Sequence, residues 1–378
     1  MKRRTFLKTT VGAGFVGSLA PNLLLGAAKD KPNEKLNIGI IGSGGRGSAN
    51  MRGVASENIV ALCDVNGQTL AASQKKYPKA KAYFDWRKLL EDKSIDAVTV
   101  STADHCHALA AVAAMRAGKH VYCEKPLAHS VHEARVMRET FAKSKVATQM
   151  GTQIHATDNY RRVVELVQSG AIGPVREAHV WCSRTINPIG APVLERQSPP
   201  DWFHWDEWQG PAPDRYHNQG YWKGGNLNWN RRWDYGNGVL GDMGSHLIDL
   251  PWWALELTTP LTCEAHGPKA DAVACPPWMR VTWEHAARKG RAAFEVPVKV
   301  VWYHGGRSKR DRPNIDTGID LGKWFNGILF VGDKGMLLAD YGKRILLPKE
   351  KFAGHKAPKP WIAKSLGHHR EWIHAAKT

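Results

Sequence analysis

The chain has 378 residues, 43% hydrophobic and 23% charged, with a formal net charge of +18. That length is more than one core usually holds and predicts two domains, and the composition excludes a disordered or collagen-like protein. Lys2, Arg3, Arg4 and Lys8 sit in an acid-free start over 1–28, and taking those four from +18 leaves +14. The remaining Lys and Arg are scattered with no compact basic run, so no nucleic-acid partner is expected and the excess reads as surface charge that favours anionic partners.

Lys2-Arg3-Arg4-Thr5-Phe6-Leu7-Lys8 is a twin-arginine pattern, and the mild apolar run over 11–28 is broken by Gly12, Gly14, Gly17 and Pro21. A membrane span needs about 20 strongly apolar residues. Segment 1–30 therefore reads as a twin-arginine signal peptide without stable membrane insertion, and the protein as periplasmic or otherwise exported. The six cysteines (63, 106, 123, 182, 263, 275) form no Cys-x-x-Cys pair. A protein that folds before export does so in the reducing cytoplasm, so buried thiols are expected and no metal site.

From residue 36 short apolar runs over 36–41, 59–63, 97–100, 120–123 and 146–150 alternate with helical stretches, one of them 108–117 ending at Gly118. This predicts an α/β Rossmann domain with a doubly wound parallel sheet over 34–153. The remainder, 154–378, reads as a second α/β domain with a mostly antiparallel or mixed open sheet. Its strands are expected at 177–183, 261–266, 280–285, 293–303, 327–331 and 335–339, with a helix over 241–257 kinked at Pro251. A tryptophan-rich connection runs to Gly236, and residues 368–373 begin a helix shortly before Thr378.

Gly42-Ser43-Gly44-Gly45-Arg46-Gly47 fits G-x-G-x-x-G between a strand and a helix. In that setting the glycines allow a tight turn, a close backbone approach to a pyrophosphate, and helix packing. Free N–H groups at the helix start then hold phosphates. Asp64 ends the second strand, where a carboxylate accepts from ribose hydroxyls and repels a 2′-phosphate, which favours NAD over NADP. Arg46 and Arg52 are candidate phosphate partners on the other side of that argument.

With Glu124-Lys125-Pro126 after the fourth strand, Thr102-Ala103-Asp104-His105-Cys106-His107 upstream, and Trp205-Asp206-Glu207-Trp208-Gln209-Gly210-Pro211 and Gly241-Asp242-Met243-Gly244-Ser245-His246 downstream, the chain resembles the Gfo/Idh/MocA oxidoreductases. The likeness is to their exported, inositol 2-dehydrogenase-like branch, over about residues 35–378. Two departures stand out: Ala103 replaces the family's usual proline, and the final helix–strand segment is missing after Thr378, so the end reads as truncated.

The resemblance implies catalytic Lys125, Asp242 and His246 in the cleft between domains, and adds Thr102, His105, His107, Glu124 and Gln153 to the cofactor side. The chemistry is consistent, since oxidising a hydroxyl needs a base and histidine serves near neutral pH. His246 is read as that base, Asp242 as orienting it or the neighbouring hydroxyl from four residues away, and Lys125 as positioning substrate. Taken singly, each residue also fits a bland role: a solvated lysine, a helix-start acid, a structural histidine.

Within the tryptophan-rich stretch, Arg231, Trp233 and Asp234 are the candidate substrate contacts, against the alternative that its rings fill a core or interface. The expectation is an NAD-dependent dehydrogenase acting on a sugar or cyclic polyol hydroxyl, with a tightly bound, recycling cofactor. An NAD-dependent glycosidase or epimerase working through a transient keto-sugar, and a non-catalytic sugar-binding protein, stay open as alternatives. An exposed sheet in the second domain would make the chain a homo-oligomer.

Overall fold

The computed structural model describes residues 34–185, 193–289, 294–306 and 311–378, the side chains of 226 and 227 excepted. The leader expected over 1–30, and the first residue of the strand expected from 293, lie outside them. In the first half β1 (Asn37–Ile41), α1 (Gly45–Gly53), β2 (Asn58–Cys63), α2 (Gly67–Lys76), β3 (Lys81–Tyr83) and α3 (Trp86–Glu91) are followed by β4 (Ala97–Val100), α4 (Asp104–Arg116), β5 (His120–Cys123), α5 (Val131–Lys143) and β6 (Thr148–Met150). The six strands pair in parallel in the order β3-β2-β1-β4-β5-β6. β1 and β4 are almost wholly apolar inside, with Ile38, Ile40, Ala97 and Val98 at 0% exposure and Thr99 the buried polar exception, as suits strands covered on both faces. The strand order reverses between β1 and β4, which opens a crevice at their carboxyl ends.

The second half contains α6 (Asp158–Gln168), β7 (Val175–Cys182), α7 (Trp205–Gln209), α8 (Asn226–Trp229), α9 (Ser245–Leu247) and α10 (Asp249–Ala254). These lead to β8 (Thr262–His266), β9 (Met279–His285), β10 (Val298–His304), β11 (Asn326–Gly332), β12 (Gly335–Ala339), β13 (Arg344–Leu347) and finally α11 (His368–Lys377). Seven strands form one mixed sheet in the order β13-β12-β11-β7-β10-β9-β8, with β7 and β10 parallel and the other pairs antiparallel. Along β10, Val298, Val300 and Trp302 join the core shared with α6 and α10, while Val301 and Tyr303 point to the opposite face. That second face is covered by the chain's own Ile315, Ile319, Leu321 and Trp324. The bare sheet expected to drive self-association is therefore closed over where these residues pack.

Two further expectations are corrected. The helix expected over 241–257 is broken: a single π-helical turn, Leu240–Gly244, precedes α9 and α10. The break before α10 falls at Ile248, so Pro251 lies in the first turn of α10, where its missing N–H costs little. The end of the chain, assigned to the second domain, returns to the first. Trp372, Ile373 and Ala376 of α11 pack into the core of β1 and α1, Gln149 donates to the His368 carbonyl at 2.7 Å, and Lys377 pairs with Glu57 at 2.8 Å. No helix among the described residues is long and apolar enough to cross a membrane. All six cysteines are free thiols, five buried and Cys263 exposed on β8.

Because Trp372 is 1% exposed inside the first domain's core, Trp372→Ala should cost about 3–5 kcal/mol of stability in denaturant unfolding. A loss below about 1 kcal/mol would show that α11 is not part of that core.

Candidate active site

The turn between β1 and α1 needs its glycines for steric reasons. A Cβ on Gly42, whose φ is +81°, would lie 2.5 Å from the Ser101 carbonyl oxygen, and one on Gly47 would lie 1.8 Å from the Gly42 carbonyl oxygen. A Cβ on Gly44 would meet the Thr69 methyl at 2.9 Å. α1 has no side-chain cap and no acid in its first turn, so its leading N–H groups and Arg46 stay available to an anion. Asp64 locks this turn: one carboxylate oxygen accepts from the Ser43 and Gly44 N–H groups at 2.8 and 3.2 Å, the other from the Asn66 N–H at 2.9 Å. Burial raises the Asp64 pKa, and those hydrogen bonds work against the rise.

Across the same crevice, Lys125 follows β5 and donates to the Asp242 carboxylate at 2.6 Å and to its carbonyl at 2.8 Å. Arg184, just past the end of β7, donates to the other Asp242 oxygen. Burial alone would raise the Asp242 pKa, but Lys125 and Arg184 outweigh it and hold the carboxyl below its ordinary value. His246 is anchored by Tyr160, whose hydroxyl donates to its carbonyl at 2.9 Å, and by the edge of the Tyr341 ring. Burial, reinforced by the Lys125 charge, lowers the His246 pKa to about 4, so its imidazole is neutral at pH 7. Its Nδ1 is buried without a hydrogen-bond partner among the described residues.

One cavity of about 920 Å³ contains Gly42, Gly44, Gly45, Arg46, Asp64, Thr102, His107, Glu124, Lys125, Asp242 and His246 among its lining residues. Sequence reasoning named all eleven. Of these, Glu124 and His107 act chiefly on the loop that carries Lys125. Buried Glu124 accepts from Asn50 at 2.9 Å, Gln153 at 2.7 Å and the Lys125 N–H at 3.2 Å. His107 sits with its ring nitrogens 2.7 and 3.1 Å from the Pro126 and Thr102 carbonyls, to one of which the neutral ring donates.

Other expected site residues lie elsewhere. Ser43 and Gly47 are buried beneath the turn. Gln153 spends its amide on Glu124 and Tyr122 and does not line the cavity. His105 is 1% exposed and held between the Trp208 and Tyr235 carbonyls, and burial takes its pKa down to about 4; it pins the tryptophan-rich segment rather than a cofactor. The substrate assignment of Arg231, Trp233 and Asp234 is also corrected. Trp233 donates from its backbone N–H and indole N–H to the Val273 and Asp271 carbonyls at 3.0 and 3.1 Å, the Arg231 backbone carbonyl accepts from the Cys275 N–H, and Asp234 pairs with Arg215 at 2.9 Å; none of the three lines this cavity.

The rings that do line it are Trp208, Trp222 and Trp229, with Phe203, Phe84 and Trp86, while Trp205, Tyr221 and Tyr235 form a buried core beneath. Sequence reasoning also missed Arg184, since a lone arginine after a strand carries no spacing signal.

The model of the oxidoreductase family's NAD-binding Rossmann fold matches residues 36–152, and that of the same family's C-terminal α/β domain matches 159–290. The chain belongs to the Gfo/Idh/MocA oxidoreductases. An inositol 2-dehydrogenase of Salmonella paratyphi B is 35% identical over 150 residues, 38% of this chain and 45% of that protein. A glycosyl hydrolase family 109 protein of Solibacter usitatus is 32% identical over 197 residues, 45% of this chain and 43% of that one. The chain thus matches a little under half the length of these relatives. A levoglucosan dehydrogenase solved with NADH and levoglucosan shares the fold, with a TM-score of 0.56 at 17% identity over 91% of this chain and 88% of its own. The Rossmann half is accordingly an NAD-binding domain, and the glycine cradle and free α1 terminus fit that ligand.

The neutral state of His246 makes a pH prediction. Its folded pKa of about 4 lies below the ordinary 6.5, so the unfolded chain binds more protons between those values. The stability this contributes is full above about 6.5 and declines as the pH falls towards 4. In an NMR titration, Lys125→Met should raise the His246 pKa by removing a depressing charge. No upward movement would show that Lys125 does not act on that ring.

Proposed function

We propose that the chain is an NAD-dependent dehydrogenase that oxidises a hydroxyl of a sugar or cyclic polyol and keeps its cofactor between turnovers. The observation that carries this reading is the single cavity in which the glycine turn and Asp64 meet Lys125, Asp242, Arg184 and His246. Gly42, Gly44 and the start of α1 would hold the pyrophosphate, Asp64 would shape the turn under the adenosine ribose, and Glu124 and Lys125 would border the nicotinamide end. Bound NAD supplies a hydride acceptor, the chemistry that no side chain offers.

Substrate enters with its reacting hydroxyl against Lys125, whose ammonium Asp242 holds at 2.6 Å. That ammonium offsets the negative charge that grows on the oxygen as its proton leaves. The neutral His246 imidazole receives the proton. Asp242 fixes the lysine, a change from the expected role of orienting the histidine, and Arg184 balances the carboxylate from the second domain. Aromatic faces of Trp222 and Trp229 in the same cavity suit the apolar C–H face of a pyranose or cyclitol. The inositol 2-dehydrogenase likeness supports a polyol substrate class.

The likeness to the glycosyl hydrolase family 109 protein favours a second reading, in which hydride leaves and returns and a glycosidic bond is cleaved without net oxidation. Assayed on a panel of sugars and cyclitols with NAD, Lys125→Ala and His246→Ala should each lower kcat/KM by about 10²- to 10⁴-fold. Wild-type-like rates in both variants would refute the assignment, and leaving-group release with no net NADH would select the second reading.

We also propose export through the twin-arginine leader. Replacing Arg3 and Arg4 by lysines should leave the protein in the cytoplasm, and unchanged export would overturn that route.

A further inference from the structure

The tryptophan-rich segment belongs to the second half of the chain, yet it is stitched to the first domain at the adenosine end of the crevice. The Gly67 N–H donates to the Trp202 carbonyl at 2.8 Å, and the His204 N–H to the Val65 carbonyl at 2.9 Å. Asn66 and Phe203 form an isolated antiparallel bridge, and the Phe84 and His204 rings stack with centroids 3.9 Å apart. Farther along, the Trp208 carbonyl meets His105 Nε2 at 2.9 Å. The loop after Asp64 is thus tied to residues 202–204, just ahead of α7, and Phe203, Glu207 and Trp208 line the cavity together with Asp64, Asn66, Thr69, Phe84 and Trp86.

Within this pocket the two carboxylates differ. Asp64 is committed, accepting from the Ser43, Gly44 and Asn66 N–H groups and the Ser43 hydroxyl. Glu207 is half-buried, lines the cavity, and has no hydrogen-bond or ion-pair partner among the described residues. Burial raises the Cys63 pKa, and the charges of Asp64, Asp85 and Glu207 raise it further against the opposing charge of Arg87. Arg87, the cation among them, is held by both oxygens of Asp85 at 2.7 and 3.0 Å. Asp64 and Glu207 both line the crevice, and neither forms an ion pair among the described residues.

We propose that Glu207 is a specificity-determining residue for the cofactor, accepting a hydrogen bond from the adenosine ribose 2′-hydroxyl and excluding a 2′-phosphate from beneath the aromatic roof. This inference rests on the reading of the crevice as an NAD site. A 2′-phosphate would bring about −1.5 to −2 charge into a pocket already rich in carboxylates, whereas a hydroxyl donates to one.

The test is calorimetric titration of the full chain, freed of bound nucleotide, with NAD, NADP, ADP-ribose and 2′-phospho-ADP-ribose. Glu207→Gln should weaken ADP-ribose by about 10- to 100-fold, the worth of a charge-assisted hydrogen bond, and shrink its preference over the 2′-phosphorylated form. Glu207→Lys should tighten 2′-phospho-ADP-ribose relative to wild type, a gain that misfolding cannot produce. An unchanged preference in both variants, with wild type binding NAD, overturns the role of Glu207 alone. Failure of wild type to bind any of the four overturns the NAD reading and this inference together.

Discussion

The site depends on one ion cluster, centred on buried Asp242, that joins the two domains. Lys125 is brought by the loop after β5, Asp242 by the π-helical turn, and Arg184 by the end of β7, with side chains 13%, 5% and 35% exposed. A pair at a buried carboxylate contributes little net stability, but removing Lys125 leaves buried Asp242 short of a partner and costs up to about 3–5 kcal/mol. The partly exposed Arg184 contact is screened and worth about 1 kcal/mol or less. The cluster therefore specifies geometry: the lysine is held at the crevice only when the second domain presents its carboxylate there. Its field also reaches His246, where it reinforces burial in keeping the ring neutral.

A second layer of constraint supports this cluster. Glu124 and His107 brace the backbone on either side of Lys125, through buried bonds to Asn50 and Gln153 and to the Pro126 and Thr102 carbonyls. The tryptophan-rich segment is pinned by His105 and by the Val65–Gly67 edge. Aromatic stacking inside it, with Phe203 on Trp222 at 4.0 Å and Trp205 on Trp208 at 5.1 Å, gives that long connection a core of its own.

Local pattern made much of this legible. The apolar runs of β1, β2, β4 and β5 and the glycine turn were plain from the residues, because each is a contiguous signal. β3 was missed, since Lys81-Ala82-Tyr83 is three residues long and carries no period. Lys125, Asp242 and His246 were found through a family likeness, and the structure brings them into one cavity. Tertiary facts were not legible. Nothing local shows that α11 returns to the first domain, that Arg184 reaches Asp242, or that residues 231–234 pair with 271–275 and turn away from the cleft. The rings at 208, 222 and 229 look no different in sequence from Trp233, and only the packing separates a cavity wall from an outer surface.

The central claim is that one roofed crevice holds NAD beside a lysine, aspartate, arginine and histidine set. The most direct measurement is to purify the chain without added cofactor, denature it, and quantify released nucleotide by mass spectrometry. The account predicts about one NAD per chain, retained through purification. Absence of any dinucleotide, together with no binding on titration of the folded protein, would contradict it.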